Sequence, residues 1–444
     1  MTELAIGILG SPAGSGWFVM RGADQVEGLV SASYDPKFFD DQPIEETILL
    51  QLRGSRSQLR SVITKLEQLI TAKQRSPQQE LSLRIWSGEQ LAYLYSRIIK
   101  ARLELDVGQL ESQMAGSFRC RLVITRESDF FGDEELLPLS NGSGGNLTDG
   151  VNVFNHDDAG IGHDNWFSID TAALALSKPA SIKLEVENNY IGLSLGDFFL
   201  GGMATTALEN RSTLTLEAEN GSGGTAFSSA SASGGKYSQY SWTGTGWTSL
   251  SSWTIKPVEL SQLRSRTFTP ILRFFNPIAD ASLSLRLQVS QDDKVVWQSP
   301  HIEASAGVGY LPLEPIQLPL GSLPLVNYAY AHQISLHARN TSLGEHSFEL
   351  DDLILLPQEP FLEFHNLAGL TDQSKLIIDG RLNQCWTLKD DLELKTHRKI
   401  GGDLQILPGN KHYFWLFLSD IYQRALIERT VRVRAWMRRR WSLP

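Results

Sequence analysis

Leu214-Thr-Leu-Glu-Ala-Glu219 and Phe348-Glu-Leu-Asp-Asp-Leu-Ile-Leu-Leu356 begin and end the part of this chain with the clearest strand patterns. In the first segment apolar and polar residues alternate, which is the period-two pattern of a strand with one buried face. The second segment is a strongly apolar strand that stops before Pro357, a residue without the N–H needed to continue a ladder. Alternating strands and no helix of usable length lie between them. The sequence therefore predicts an all-β module over 206–357.

Composition limits what the whole chain can be. It has 444 residues, of which 41% are hydrophobic and 20% charged, values typical of several globular domains. A net charge of −10 argues against nonspecific duplex binding as the main task, because phosphate contacts need clustered Lys and Arg, and we expect no sequence-specific nucleic-acid partner. Cys120 and Cys385 provide neither a disulfide framework nor metal-ligand spacing. With no secretion signal and no apolar run of membrane-spanning length, we expect a soluble protein made in a cytoplasm, without membrane insertion.

Residues 1–140 read as an α+β domain. The apolar spacing from Leu59 to Ile70 predicts a helix that is capped by Ser55 or Ser57 and packs one face on a sheet. Strand patterns surround this helix, and 91–105 reads either as two strands or as one long bent strand.

The flanks of the module read as one interrupted domain. Asn141-Gly-Ser-Gly-Gly-Asn146 is a plausible linker, and the strand patterns that follow it are too few to bury a core alone. Their partners occur only after the module, which predicts a discontinuous β-sandwich from 141–205 and 358–444. The predicted fold class is thus mainly β, made of β-sandwiches, with one α-helix in an α+β N-terminal domain and one discontinuous domain.

Three short motifs in the module resemble those of jelly-roll carbohydrate-binding modules: Glu217-Ala-Glu219, Ser233-Gly-Gly-Lys-Tyr237 and Leu350-Asp-Asp-Leu353. The resemblance implies a structural calcium held by Glu217, Glu219 and Asp351, since calcium takes several oxygen ligands. The alternative is three solvated carboxylates without an ion.

Aromatic residues in a Gly/Ser/Thr-rich stretch are the candidate glycan-binding residues, because sugar rings stack on flat aromatic faces. They are Tyr237, Tyr240, Trp242 and Trp247. The alternative is that tryptophans here belong to the core, which we favour for Trp253 and leave open for Trp242 and Trp247.

The flanks resemble the distal tail proteins of long-tailed, non-contractile phages. The matching segments are Phe118-Arg-Cys-Arg-Leu-Val-Ile-Thr125, Phe130-Phe-Gly132, Leu376-Ile-Ile-Asp-Gly380, Leu407-Pro-Gly-Asn410 and Thr430-Val-Arg-Val-Arg434. The family combines a tail-tube-like domain with a galectin-like sandwich, and some members carry an inserted carbohydrate-binding module. One departure is the aromatic Lys411-His-Tyr-Phe-Trp415, which we interpret as a rim exposed to a neighbouring subunit.

The resemblance implies a structural, non-enzymatic role. The protein would form a ring, a homohexamer in the family, at the tail tip of the virion. Its partners would be copies of itself, tail-tube and tail-tip hub proteins of the baseplate, and a host surface glycan used in attachment. The alternative is a lectin-like carbohydrate-binding protein unrelated to phages.

Basic residues alternate along the last strand pattern. Arg432, Arg434 and Arg438 share one face, and in an acidic protein they can meet an acidic neighbouring subunit or line a lumen for DNA. A solvated face or edge is the third interpretation.

Catalytic signatures are missing from the sequence. It has no nucleophile elbow, P-loop or zinc-protease motif, and Asp351 and Asp352 are expected on opposite faces of a strand, unsuited to acid/base work. The cluster His156, Asp157, Asp158, His163 and Asp164 is interpreted as a solvated loop rather than a metal site. A glycosidase is therefore disfavoured.

Overall fold

The computed structural model divides into two compact units, Met1–Glu135 with Arg438–Pro444, and Leu136–Met437. The described residues are 3–9, 16–34, 37, 42–75, 80–87, 92–105, 117–142, 144–146, 149–156, 163–174, 176, 178–189, 194–205, 214–256, 263, 266–280, 282–318, 331–365, 367, 370–371, 373–390, 392–398, 400–420, 422, 424 and 430–441. The predicted fold class is confirmed, since strands dominate and a long helix lies in the N-terminal part. Among the described residues, no helix has the length and apolar character needed to cross a membrane.

The first unit is built from two antiparallel sheets. Its strands are Leu4–Ile8, Trp17–Arg21, Leu29–Ser33, Ile44–Arg53, Leu81–Ser87, Ala92–Leu105, Ser117–Arg126 and Phe130–Leu136. The strand Ala92–Leu105 joins the sheets, because its first half pairs with Leu81–Ser87 and its second half with Ser117–Arg126. A register shift between Ile98 and Lys100 marks the change of sheet. The stretch is therefore one long strand, one of the two predicted alternatives.

The helix Arg56–Arg75 covers the core of this unit. Ser55 is the cap: its N–H donates to Gln58 Oε1 at 2.8 Å, and the Gln58 N–H donates to Ser55 Oγ at 3.4 Å. This reciprocal pair is a capping box. Leu59, Val62 and Leu66 are buried against the sheets, as the three-and-four spacing predicts.

The second unit contains a sandwich assembled from both flanks of the module. Its strands are Leu139–Asn141, Gly144–Asn146, Val151–Phe154, Trp166–Asp170, Ala180–Asn188, Leu195–Thr205, Phe361–Phe364, Lys375–Asp379, Gln384–Lys389, Leu392–His397, Ile400–Gly401, Gln405–Ile406, Lys411–Asp420 and Thr430–Trp441, of which the last continues into the first unit from Arg438. Strands that precede the module pair with strands that follow it: Leu195–Thr205 with Lys411–Asp420, and Ala180–Asn188 with Lys375–Asp379.

The glycine-rich segment after Ser140 differs from the prediction. Instead of a linker, Leu139–Asn141 and Gly144–Asn146 form an antiparallel hairpin, which joins the sandwich through Ser140 and Ser168. Glycine tolerates tight turns as well as flexible linkers, so composition alone did not separate the two.

The module between the flanks is a two-sheet sandwich. Its strands are Thr215–Glu217, Thr225–Ser228, Lys236–Thr243, Thr248–Ile255, Arg266–Phe274, Leu283–Gln291, Lys294–Gln298, Ile302–Ala304, Tyr310–Pro312, Ile316–Leu318, His332–Asn340 and Glu345–Pro357. One sheet is centred on Glu345–Pro357 and the other on Leu283–Gln291 and His332–Asn340. The predicted first strand is shorter than expected, because a 3₁₀ turn begins at Ala218. Glu217 and Glu219 therefore do not share a strand face.

The module packs directly on the flanking sandwich. In Lys411–Asp420, Phe414, Leu416 and Leu418 enter the core of the flanking sandwich, whereas Tyr413, Trp415 and Phe417 enter the core of the module. Phe417 and Phe199 both contact Tyr310 of the module, with ring centroids 5.1 and 5.9 Å apart. The aromatic segment interpreted as an exposed rim is therefore buried. Sheets of the two sandwiches form consecutive layers of one stack.

A glycine permits this close layering. A Cβ atom on Gly201 would lie 2.6 Å from the backbone oxygen of Pro357, where the module's last strand leaves the sheet. Any larger residue at this position would force the layers apart.

Candidate functional site

A buried arginine organises the acidic residues of the module. Arg273 is fully buried and stands opposite Asp352. The next pair in the register is Phe274 with Leu350, so Asp351 is the extra residue of a β-bulge. The bulge brings both aspartates to one guanidinium: Arg273 Nε lies 3.2 Å from Asp351 Oδ2, and Arg273 Nη2 forms an ion pair with Asp352. The prediction that the two aspartates point to opposite faces is wrong at this bulge.

The glycine turn after Ala232 closes over the same cluster. Ser233 donates from its N–H to Asp351 Oδ1 at 2.8 Å and from its hydroxyl to Glu217 Oε1 at 2.7 Å. Gly234 has φ +58°, and a Cβ there would lie 3.0 Å from Glu219 Oε1. The motifs that resemble carbohydrate-binding modules therefore meet at one site.

Four carboxylates share this site with one guanidinium. Burial, followed by the charge of Asp352, raises the pKa of Glu217 to about 9. Burial also raises the pKa of Asp352 to about 7, against the opposing effect of Arg273. The pKa values of Glu219 and Asp351 are raised as well, chiefly by burial. The cluster carries more negative charge than Arg273 neutralises, so it favours a proton or another cation.

Two of the three residues predicted to hold calcium retain free oxygens. Oε2 of Glu217 and Oε2 of Glu219 are buried without a hydrogen-bond partner, whereas both oxygens of Asp351 contact Ser233 or Arg273. In the part of the chain that the structure describes, no three His, Cys, Asp or Glu side chains are grouped as a metal site. The two glutamates thus fit a cation, and Asp351 is already committed to Arg273.

Two of the four predicted glycan-binding aromatics belong to the core. Tyr240 is buried and its hydroxyl donates to Ala218 O at 3.3 Å, and Trp242 is buried against Phe348, with ring centroids 5.9 Å apart. Neither ring offers a face to a sugar, so this part of the prediction is wrong. Trp253 is also buried, as favoured. The period-two pattern of Lys236–Thr243 already indicates that Tyr240 and Trp242 are buried, because residues 238, 240 and 242 share the inward face of the strand.

Tyr237 lies on the outward face and belongs to a stack of rings. Its ring is parallel to Phe275, with centroids 4.0 Å apart at 4°, and lies 5.6 Å from Phe227 at 22°. Phe227 is 41% exposed on the strand Thr225–Ser228. Neither phenylalanine was among the predicted residues, although the alternation that places Tyr237 outward on its strand indicates that ring partners would lie on neighbouring strands.

Trp247, the fourth predicted aromatic, lies half-buried beside basic residues. The Cζ atoms of Arg286 and Arg339 are 4.1 and 5.0 Å from its ring centroid, and the His301 ring is 6.0 Å away. These are cation–π distances.

The basic face of the last strand is partly neutralised within the chain. Arg434 Nη1 lies 2.6 Å from Glu185 Oε1 and 3.5 Å from Glu187 Oε2, and Arg432 stands opposite Glu187. The strand is not an edge over 431–433, because it pairs on both sides. A subunit or lumen contact by Arg432, Arg434 and Arg438 stays a prediction.

The histidine cluster is more ordered than the solvated loop that we expected. His156 is buried, and its Nε2 lies 2.8 Å from Nδ1 of His163, which stacks on Phe154. Asp157 and Asp158 lie outside the described residues. Stacking of the His163 ring on Phe154 explains why these histidines are packed rather than solvated.

Comparison with solved structures gives weak overall similarity. The chain aligns with the SPP1 Dit (gp 19.1) protein, described as a paradigm of the hub adsorption apparatus in phages that infect Gram-positive bacteria, at 6% identity and a TM-score of 0.24 over 99% of each chain. It aligns with infectious bursal disease virus VP2 at 10% identity and a TM-score of 0.20, over 60% of this chain and 66% of the VP2 chain. An exo-β-1,3-galactanase from Phanerochaete chrysosporium aligns at 14% identity and a TM-score of 0.19, over 80% of this chain and 75% of the galactanase chain. These scores are too low to carry an argument. No protein-family model and no curated protein matches the sequence.

Proposed function

We propose that the protein is a structural component of a phage tail tip, which forms a ring at the end of the tail tube and contributes to attachment through its module. It acts by assembly and adhesion rather than by catalysis. The observation that carries the proposal is the architecture of the second unit. A second sandwich is inserted in sequence between Thr205 and Phe361 of the sandwich that the two flanks form, in the order that the resemblance to distal tail proteins implies.

The tight packing of the module suits an adhesive role. Because Trp415 and Phe417 of the flanking sandwich belong to the module's core, force on a ligand held by the module passes to the flanking sandwich through packed side chains. Repeated copies in a ring would make weak contacts with a surface effective together.

Exposed apolar residues in the first unit indicate a surface for assembly. Val30 and Leu49 lie on paired strands, and each is about half exposed, at 52% and 51%. Leu49 stands opposite Ser33, three residues after Val30 on the paired strand, and we take its exposed side chain as a candidate protein–protein contact.

Native mass spectrometry of the purified chain tests the proposed assembly. We expect a discrete ring, with six copies as the specific prediction, and we expect Leu49→Arg to shift the population toward monomers. Burying a charge in the contact without a partner is the physical reason. Leu343→Arg is the matched control, because Leu343 is 89% exposed in the module. A wild-type monomer that stays monomeric with tail-tube protein would contradict the ring and favour the lectin-like alternative.

For the acidic cluster, the proposal is a structural calcium held through the free oxygens of Glu217 and Glu219. Backbone carbonyls and water would supply the rest of the six to eight oxygen ligands that calcium usually takes. A bound cation would offset the excess of carboxylate charge around Arg273 and fix the turn over Ser233.

The pH dependence of calcium stabilisation tests this site. Without calcium, the free energy of unfolding should fall as the pH rises from the ordinary glutamate pKa toward 9, because folded Glu217 keeps a proton that the unfolded chain releases. Saturating calcium at alkaline pH should raise Tm by about 2–4 °C, and less at acidic pH, where protons compete. Glu217→Gln should remove the calcium effect and reduce the pH dependence, of which Asp352, whose pKa is also raised, retains a part. Superimposable melting curves in calcium and in chelator at every pH would exclude the site.

A further inference from the structure

Two arginines on the outer face of the module lack acidic partners. Several other buried or half-buried arginines of the described chain pair with carboxylates, as Arg126 does with Glu46 at 2.8 Å and Arg434 with Glu185 at 2.6 Å. Arg286 and Arg339 form no ion pair with any described residue, and the Nε atom of each is buried without a hydrogen-bond partner. In a chain with 50 acidic and 40 basic residues, two adjacent unpaired guanidinium groups need an explanation.

Neighbouring strands bring these arginines together. Arg286 stands opposite His337, and Arg339 stands opposite Ser284, two residues before Arg286. The side chains thus occupy diagonal positions on one face, and the proximity of Arg339 lowers the pKa of Arg286 after the larger effect of burial. Folding therefore holds two like charges together, and no carboxylate of the described chain forms an ion pair with either of them.

Trp247 holds the pair in place. Its indole lies within 4.1 and 5.0 Å of the two guanidinium carbons. An arginine stacked on an aromatic ring keeps in-plane N–H groups for an oxyanion. Burial and Arg286 lower the pKa of the neighbouring His337. The acidic residue nearest in register is Glu303, which stands opposite Ser284, is exposed and forms no ion pair with either arginine.

We propose that Trp247, Arg286 and Arg339 form a binding site for an acidic glycan, one that bears carboxylate or phosphate groups along a sugar or polyol chain. The arginines bind the oxyanion by charge-assisted hydrogen bonds, and the indole edge packs against the carbon chain. This inference rests on the proposed adhesive role of the module and specifies its ligand class. It moves the site from the predicted Tyr237 region to the outer face of the opposite sheet.

Titration calorimetry of the full chain with defined oligomers tests the proposal. The probes are an oligogalacturonate, a glycerol phosphate oligomer and a neutral maltooligosaccharide of similar length. We expect at least one acidic oligomer to bind, with affinity that falls as salt rises, and the neutral one not to bind. The acidic oligomer that binds identifies carboxylate or phosphate as the source of the anion.

Two double variants separate the site from general charge. Arg286→Gln with Arg339→Gln should weaken binding by at least about tenfold, in line with the loss of charge-assisted hydrogen bonds. Arg102→Gln with Arg439→Gln removes the same charge from exposed pairs in the first unit and should leave binding unchanged. Trp247→Leu should weaken binding without removing charge.

Three results would overturn the inference: no binding of either acidic oligomer, equal loss in the two double variants, or binding of the neutral oligomer alone. The last would leave glycan adhesion intact with a different ligand class. The oligomeric mass of each variant is measured in parallel, so a failure of ring assembly is distinguished from a failure of this site.

Discussion

Arg273→Met should destabilise the second unit by about 3–5 kcal/mol, because removing one member of a buried ion pair leaves the other charged without compensation. Asp351 and Asp352 would lose their only guanidinium, and Asn155 O would lose a hydrogen-bond donor. Urea unfolding followed by tryptophan fluorescence measures the change. The deficit should shrink at acidic pH, where protonation of the aspartates removes the uncompensated charge.

Two further variants make this prediction specific. Arg266→Met removes an arginine from the same strand whose partner Glu359 is half-exposed, and should cost about 1 kcal/mol or less. Combining Arg273→Met with Asp352→Asn should recover part of the lost stability, since the second change removes one buried charge. Two results would contradict the prediction: Arg273→Met lowers the free energy of unfolding no more than Arg266→Met does, or the double variant is less stable than Arg273→Met alone. Either would mean that the ion pairs of Arg273 do not stabilise the acidic cluster.

Period-two and helical patterns predicted most of the strands and the helix. The three-and-four spacing from Leu59 to Ile70 and the alternation along the last strand are local patterns. In both segments the apolar residues that these patterns place on the inner face are buried or partly buried in the structure. Local spacing also contained the answer for Tyr240 and Trp242, which share the inward face of their strand with Ser238. That answer was missed because Gly/Ser/Thr-rich composition was interpreted as a loop.

Features that depend on contacts between distant segments could not be predicted in this way. The bulge at Asp351 changes which face a residue takes, and its position depends on the register with Arg273, far away in sequence. Arg286 and Arg339 likewise meet through strand pairing, with Trp247 added from a third segment. The motifs named Glu217, Glu219 and Asp351, but only the fold revealed that Arg273 stands among them.

The burial of Lys411–Asp420 on both faces has the same origin. A strand between two cores reads as continuously apolar, and Tyr413, Trp415 and Phe417 occupy the alternate positions that would face water in a two-layer sandwich. The same aromatic sequence is compatible with an exposed rim at a subunit contact and with a strand buried between two cores, so the sequence alone does not distinguish them. The module adds its two sheets to the two sheets of the flanking sandwich. No local sequence pattern shows which strand of the flanking sandwich the module packs against.

Trp415→Ala should therefore cost about 3–5 kcal/mol of unfolding free energy and loosen the module from the flanking sandwich, because it opens a cavity at the layer between them. Trp415→Phe is the control: it keeps most of the apolar bulk and removes the indole N–H, which is buried without a partner, so it should cost clearly less than the alanine variant. Hydrogen exchange locates the effect. In Trp415→Ala, amides of Glu345–Pro357 should exchange faster, since that strand forms the module's side of the contact. Equal stability losses for the two variants, or unchanged exchange in that strand, would show that the module does not depend on this layer.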